Sequence, residues 1–221
     1  MAILRLLPLL LVTACTPLTH YPTDKTDKQY QADGRITLGM RYLQLGQLDK
    51  AGQNIESALA HAPNYYRAQL AQAIYFQHSG LHDLARKQYQ TLLDHSAEQS
   101  DVLLSYATFL CQQKQFKQAS LWFERSIHHS TASQRVTNYQ NAALCASKSG
   151  NYSQAKQYLV LALEHQPNRL DLRVYLVRNA IQQGQLEEAK MQLMALEARS
   201  SDRATTQALW REWHLSTTPT P

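Results

Sequence analysis

The sequence predicts an all-α fold: a right-handed solenoid of five helix–turn–helix repeats, closed by one more helix. Three observations predict it. Alanines recur at Ala51, Ala85, Ala119, Ala155 and Ala189, at steps of 34, 34, 36 and 34 residues. Five residues before each stands Gly46, Gly80, Lys114, Gly150 or Gly184. Four residues after each stands a large apolar side chain: Ile55, Tyr89, Phe123, Leu159 or Leu193. A small residue where two helices must touch and a glycine where the chain must turn are what a helix hairpin needs.

A 34-residue period is the tetratricopeptide (TPR) length, and the pattern resembles that repeat. The one step of 36 reads as two extra residues in a Gln134–Arg135 connection. Repetition over about 170 of 221 residues argues for one elongated array rather than two domains. Aromatic residues make up 9% and charged residues 18%, so composition does not point to a disordered chain. The formal charge of +5 is scattered, with no run of five Lys or Arg, so nucleic acid is not an expected partner.

The chain opens on a leader, residues 1–14. Ile3 to Ala14 is its long apolar run, with Arg5 near the start. That run is shorter than the ~20 apolar residues a spanning helix needs, so it reads as an export signal. Val12-Thr13-Ala14-Cys15 resembles the bacterial lipobox, in which small residues admit the signal peptidase and the cysteine thiol takes a diacylglyceryl group. Cys15 is therefore the expected lipidation site and the expected membrane anchor. Thr16 follows, where bacterial lipoproteins held at the inner membrane commonly carry Asp, which favours the outer membrane. Residues 15–31, with Pro17 and Pro22 and no apolar stripe, read as a lipidated tether.

The repeats are placed at 32–65, 66–99, 100–133, 136–169 and 170–203. Gly39, Ala73, Ala107 and Ala143 are the small residues of the first helices. Pro63 and Pro167 are expected to stop second helices, since proline cannot continue the ladder. Lys114 replaces the turn glycine of the third repeat, and an ordinary right-handed turn is expected there. At residues 204–215, Thr206, Leu209, Trp210 and Trp213 fall on one helical face, as a helix sealing the open end of the array should. The alternative for this face is an aromatic binding patch. Residues 216–221 are expected to be a disordered tail.

Nothing in the chain has the spacing of a catalytic site. His78 and His82 flank Gly80 at a turn, which sets them against sharing a helix face as metal ligands. His128 and His129 stand at a helix end, where the dipole favours them. There is no CxxC, no GxSxG and no glycine-rich phosphate loop. Neither enzyme activity nor a cofactor or metal is expected. The Asn151-Tyr152-Ser153 sequon carries no information behind a bacterial export signal.

What remains is recognition by the concave face. Places 5, 9 and 12 of each repeat line that face in TPR proteins. In the first two repeats they offer an apolar strip, Ile36, Met40, Leu43, Leu70 and Ile74, suited to an apolar peptide or an amphipathic helix. Place-5 residues also contact the neighbouring repeat, so Leu70 is open to a core reading. The groove lacks the Lys/Asn pattern that clamps a C-terminal carboxylate. Cys111 and Cys145 lie on first helices of adjacent repeats. Free cysteine is usually a small buried hydrophobe, while an oxidising compartment favours pairing. Whether their Cα atoms approach within ~7 Å is not legible from spacing.

The lipobox, Ser105-Tyr106-Ala107-Thr108-Phe109-Leu110-Cys111 and Asn141-Ala142-Ala143-Leu144-Cys145 together resemble the TPR pilotin lipoproteins of type IV pilus systems, the PilF/PilW family. Ser105 and Ala107 depart from the family's third-repeat motif, and Ala143 stands for glycine in the fourth. The resemblance implies a monomeric outer-membrane lipoprotein facing the periplasm. It would ride the lipoprotein-sorting machinery, bind the pilus secretin subunit, and assist secretin localisation and multimer assembly. It also implies a Cys111–Cys145 disulfide. The alternative is a TPR lipoprotein scaffold for another envelope machine, such as a cell-wall synthase or another secretion system.

Overall fold

The computed structural model describes residues 26–96 and 98–217. Those residues form eleven α-helices: α1 Asp27–Gln44, α2 Leu48–His61, α3 Tyr66–His78, α4 His82–Ser96, α5 Ser100–Gln112, α6 Phe116–His128, α7 Ala132–Lys148, α8 Tyr152–His165, α9 Leu170–Gln182, α10 Leu186–Glu197 and α11 Arg203–Thr217. Ten of them pair as five antiparallel hairpins and the eleventh covers the end. Each hairpin stacks on the next through its second helix (α2 on α3, α4 on α5, α6 on α7, α8 on α9). First helices also approach one another, α1 to α3, α3 to α5 and α5 to α7, whereas no two second helices do so to the same extent. The first helices therefore lie on the inner, concave side.

The packing follows the periodic residues. All five alanines of the 34-residue period are fully buried. Ile55, Tyr89, Phe123, Leu159 and Leu193 each lie one turn further along and are at most 2% exposed. A small residue lets the helix axes approach, and the large one then fills the space between hairpins. Gly39 shows how close the approach is. A Cβ placed there would stand 2.8 Å from Ile55 Cγ1. Proline stops two helices as expected: α2 ends before Ala62-Pro63 and α8 before Gln166-Pro167.

The five hairpin turns are one structure repeated. In each, the N–H two residues past the helix cap donates back to a carbonyl of the last turn: Gln47 to Tyr42, Leu81 to Phe76, Gln115 to Leu110, Asn151 to Ala146 and Gln185 to Ala180, all at 2.9 Å. This bond needs the residue before it in the left-handed region, which Gly46, Gly80, Gly150 and Gly184 adopt at φ 69°, 75°, 79° and 76°. Lys114 adopts it too, at φ 58°. The expected right-handed turn is thus replaced by the same left-handed one, because the second helix must return along the first whatever the residue.

Two helices begin earlier than the repeat boundaries suggest. α1 starts at Asp27, inside the segment assigned to the tether, behind a capping box: Thr26 Oγ1 accepts from Gln29 N–H at 3.3 Å, and Gln29 Oε1 from Thr26 N–H at 3.0 Å. α7 starts at Ala132, so Gln134 and Arg135 are not a connection but the first turn of a 17-residue helix. Gln134 Oε1 accepts from Thr131 N–H at 3.0 Å. The two extra residues of the long period are absorbed as helix, where each peptide group finds a partner, instead of as loop.

α11 is a cap. Leu209 is fully buried against Val177, Leu193 and Leu196. Trp213 Nε1–H donates to Leu186 O at 2.8 Å, and Trp210 Nε1–H to Glu197 Oε2 at 3.2 Å. The aromatic face expected to close the array closes it, and the tryptophans are half-buried packing groups rather than an open patch. The helix runs through Ser216 and Thr217, two residues into the segment read as tail. The leader and Cys15 lie outside the described residues, as do the tether up to residue 25 and the tail from 218.

Candidate partner groove

The inner side of the first helices carries the groove, and the apolar strip expected there divides. Ile36, Leu43 and Leu70 are buried, 5–8% exposed, so they are core and not groove. Ile36 and Leu43 pack with Ala51, Ile55 and Ala68, and Leu70 with Ala73, Tyr106 and Leu110. Places 5 and 12 here lean onto the neighbouring helices. Met40 and Ile74, at place 9, are half-buried; Met40 packs against the first core cluster, and Ile74 lines a cleft between first helices.

Further along, the groove is more open. Leu104 and Thr108 on α5, Leu144 on α7, and Val174, Tyr175 and Arg178 on α9 are all half-buried. Two clefts enter between first helices. The first, of about 190 Å³, lies between α3 and α5, lined by Ile74, His78, Leu104, Thr108 and Gln112 among others. The second, of about 230 Å³, lies between α7 and α9, with Leu144, Leu159 and Tyr175 as its apolar lining and Lys148, Arg178 and Gln182 as polar members. α7 and α9 make less backbone contact than the first-helix pairs before them, which leaves room for it.

Between the clefts the helices are tied. Cys111 on α5 and Cys145 on α7 form a disulfide, with S–S 2.08 Å and Cα atoms 5.9 Å apart. The separation left open by residue spacing thus falls inside the bonding range. Toward the opposite end of α5, the helices α5, α6 and α7 meet on a buried polar knot. Asn138 Nδ2 donates to Ser100 Oγ and Ser126 Oγ at 2.8 Å each, and to Ser126 O at 3.0 Å. Such a network is stable because every member finds a partner. The pattern of residues did not reveal it, since Ser and Asn at these places look like solvated polar positions.

The electrostatics of the groove are uneven. Along one rim, carboxylates are each matched: Asp33 to Arg67 at 3.4 Å and to the Tyr65 hydroxyl at 3.1 Å, Asp101 to the Tyr66 hydroxyl at 3.3 Å. Burial, then Asp101, push the Tyr66 phenol up to about 12. Asp171 takes two bonds from Arg169, at 2.7 and 2.6 Å, and these hold its carboxyl below the usual range. Along the other rim run Gln44, His78, Gln112, Lys148 and Gln182, with no acidic residue among them. Arg178 is paired with Glu212 of α11 at 3.1 Å. Lys148 is exposed and forms no ion pair among the described residues.

His78 and His82 end α3 and begin α4, and no group of three or more His, Cys, Asp or Glu able to hold a metal occurs among the described residues. His128 ends α6 and His129 is its cap residue. Asn151 of the sequon caps α8, its Oδ1 accepting from Gln154 N–H at 3.2 Å.

The tetratricopeptide repeat family model matches residues 146–209. An uncharacterised protein of Haemophilus influenzae is 34% identical over 118 residues, 53% of this chain and 66% of its own. The type IV pilus assembly protein PilF of Pseudomonas aeruginosa is 28% identical over 160 residues, 72% of this chain and 64% of its own. The chain has the TPR fold; in sequence it is distantly similar to PilF, and it shares its fold with PilW. The solved Pseudomonas aeruginosa PilF structure matches with TM-score 0.69 at 22% identity, over 86% of each chain. That of PilW, described as a widely conserved type IV pilus biogenesis factor, matches with TM-score 0.71 at 22% identity, over 84% of this chain and 85% of that one. At this identity the structural likeness speaks for the TPR architecture. The chain spans about two thirds of each curated relative, 66% and 64% of their lengths.

Proposed function

We propose that this protein is an outer-membrane TPR lipoprotein that binds the secretin subunit of a type IV pilus machine and assists the secretin's localisation and multimer assembly. The single observation that carries the reading is the pairing of Cys111 with Cys145 inside a five-repeat array related to PilF. Both cysteine-ended motifs then serve one structural purpose, and a structural disulfide suits an oxidising compartment such as the periplasm. Among the described residues no helix is long and apolar enough to cross a membrane, and in this reading the anchor is the lipid on Cys15. Several acyl chains, at ~0.8 kcal/mol per buried CH₂, hold a protein on a bilayer durably.

The two ends divide the labour. The lipid fixes location and the groove takes a segment of the secretin. Tethering raises the effective concentration of the second partner at the membrane. Cys15→Ala is expected to move the protein from the outer-membrane fraction to the soluble periplasm, and to reduce or misplace the heat-stable secretin multimers seen by gel electrophoresis. Unchanged multimers and unchanged twitching would overturn the pilotin reading and favour a scaffold for another envelope machine.

A further inference from the structure

The two clefts and the disulfide between them form a ruler. We infer that the groove binds an extended polypeptide carrying two apolar anchor residues six positions apart, the anchor seated in the α7–α9 cleft being flanked by an acidic residue. The inference rests on the groove reading proposed above and specifies the segment that the groove takes.

The spacing follows from geometry. The clefts open between α3 and α5 and between α7 and α9. They are two first-helix steps apart. At 8–10 Å between packed helix axes this is about 16–20 Å. An extended chain advances about 3.3 Å per residue, so five or six residues cover the distance. Alternate side chains of an extended chain point to opposite sides, so only an even separation seats both anchors. Six is the even number that fits. An α-helix rises only about 1.5 Å per residue and would need some twelve residues between anchors.

The lining supports the chemistry. Ile74 and Leu104 give the first cleft its apolar walls, and Leu144 and Tyr175 the second. Thr108 and Asn141 also line the first cleft, as hydroxyl and amide groups for a peptide backbone. Beside the second cleft stands Lys148, exposed and without an ion pair among the described residues, and the lining of that cleft includes no carboxylate. An acidic residue next to the second anchor complements it. The Cys111–Cys145 bond fixes α5 to α7, the step that separates the clefts.

A peptide series tests this. Two leucines separated by positions i+3 to i+12 are placed in a Gly/Ser/Thr background, with one Asp beside the second leucine. Binding to the full chain carrying Cys15→Ala is measured by fluorescence anisotropy. The expected result is an odd–even alternation with the tightest binding at i+6. Leu144→Asp is expected to weaken that peptide about ten-fold or more, the worth of one well-buried apolar anchor. Lys148→Glu is expected to reverse the preference for Asp over Lys at the flanking position. The variant Cys111→Ser with Cys145→Ser is expected to keep its helical circular dichroism and to flatten the spacing dependence. No binding at any spacing, a flat profile in the disulfide-bonded protein, or a maximum near i+12 would overturn the inference. Because no secretin is used, failure here leaves the pilotin reading standing, and failure to capture secretin leaves the ruler standing.

Discussion

Lys114 shows at residue scale how the array overrules a local preference. Every hairpin of this chain turns through one left-handed residue, and four of the five are glycine. A Cβ in that region costs about 1–2 kcal/mol. Glycine returns part of this through its greater freedom in the unfolded chain. Lys114→Gly is therefore expected to stabilise the protein by about 0.5–1 kcal/mol, read as a higher urea midpoint. A lower midpoint would mean that the lysine side chain makes a compensating contact. The period made the special place visible, since Lys114 sits where the glycines sit. The identity of the residue argued the other way, and the geometry of returning an antiparallel helix decided. The buried row was legible for a simpler reason. An alanine every 34 residues has no local purpose, so its repetition already implied helix contact.

At the scale of elements, the helices that outran their expected boundaries share a signature. α1 follows Thr26-Asp27-Lys28-Gln29 and α7 follows Thr131-Ala132-Ser133-Gln134. Threonine with glutamine three residues on is a capping box, so both starts were readable from local chemistry. The 34-residue register hides them, because it places every boundary at a fixed step whatever the local cap. The cap was readable and its role is structural: α11 covers the face that a sixth repeat would cover. Leu209→Ala is expected to cost about 2–5 kcal/mol, by lost transfer energy plus the cavity left beneath α11. The loss should be local. Amide exchange should quicken across α9, α10 and α11 and stay unchanged in α1 to α4. Equal quickening throughout would show that the helix pairs unfold as one unit instead of neighbour by neighbour.

The described residues form a stack in which each hairpin packs mainly on its neighbours, and the Cys111–Cys145 bond ties one of those contacts covalently. The groove was the least legible part of the chain. Whether a side chain at place 5 or 12 faces the hollow or leans on the next helix depends on the curvature of the stack, which no local pattern encodes. Ile36, Leu43 and Leu70 went to the core for that reason, while the clefts appeared in later repeats. The bond spans 34 residues of sequence. A loop of that length loses about 4 kcal/mol of unfolded-state entropy when closed, in the chain-entropy model. In a nearest-neighbour array this stabilisation is confined to the repeats that the loop includes. Reduction, or Cys111→Ser with Cys145→Ser, should therefore speed amide exchange in α5 to α7 most. α1, α2, α10 and α11 should keep their protection. The same treatment should split a single urea transition into two, with the middle of the array opening first. A single transition displaced uniformly to lower urea would mean instead that coupling between hairpins exceeds the stability of any one hairpin, and that the bond acts on the array as a whole.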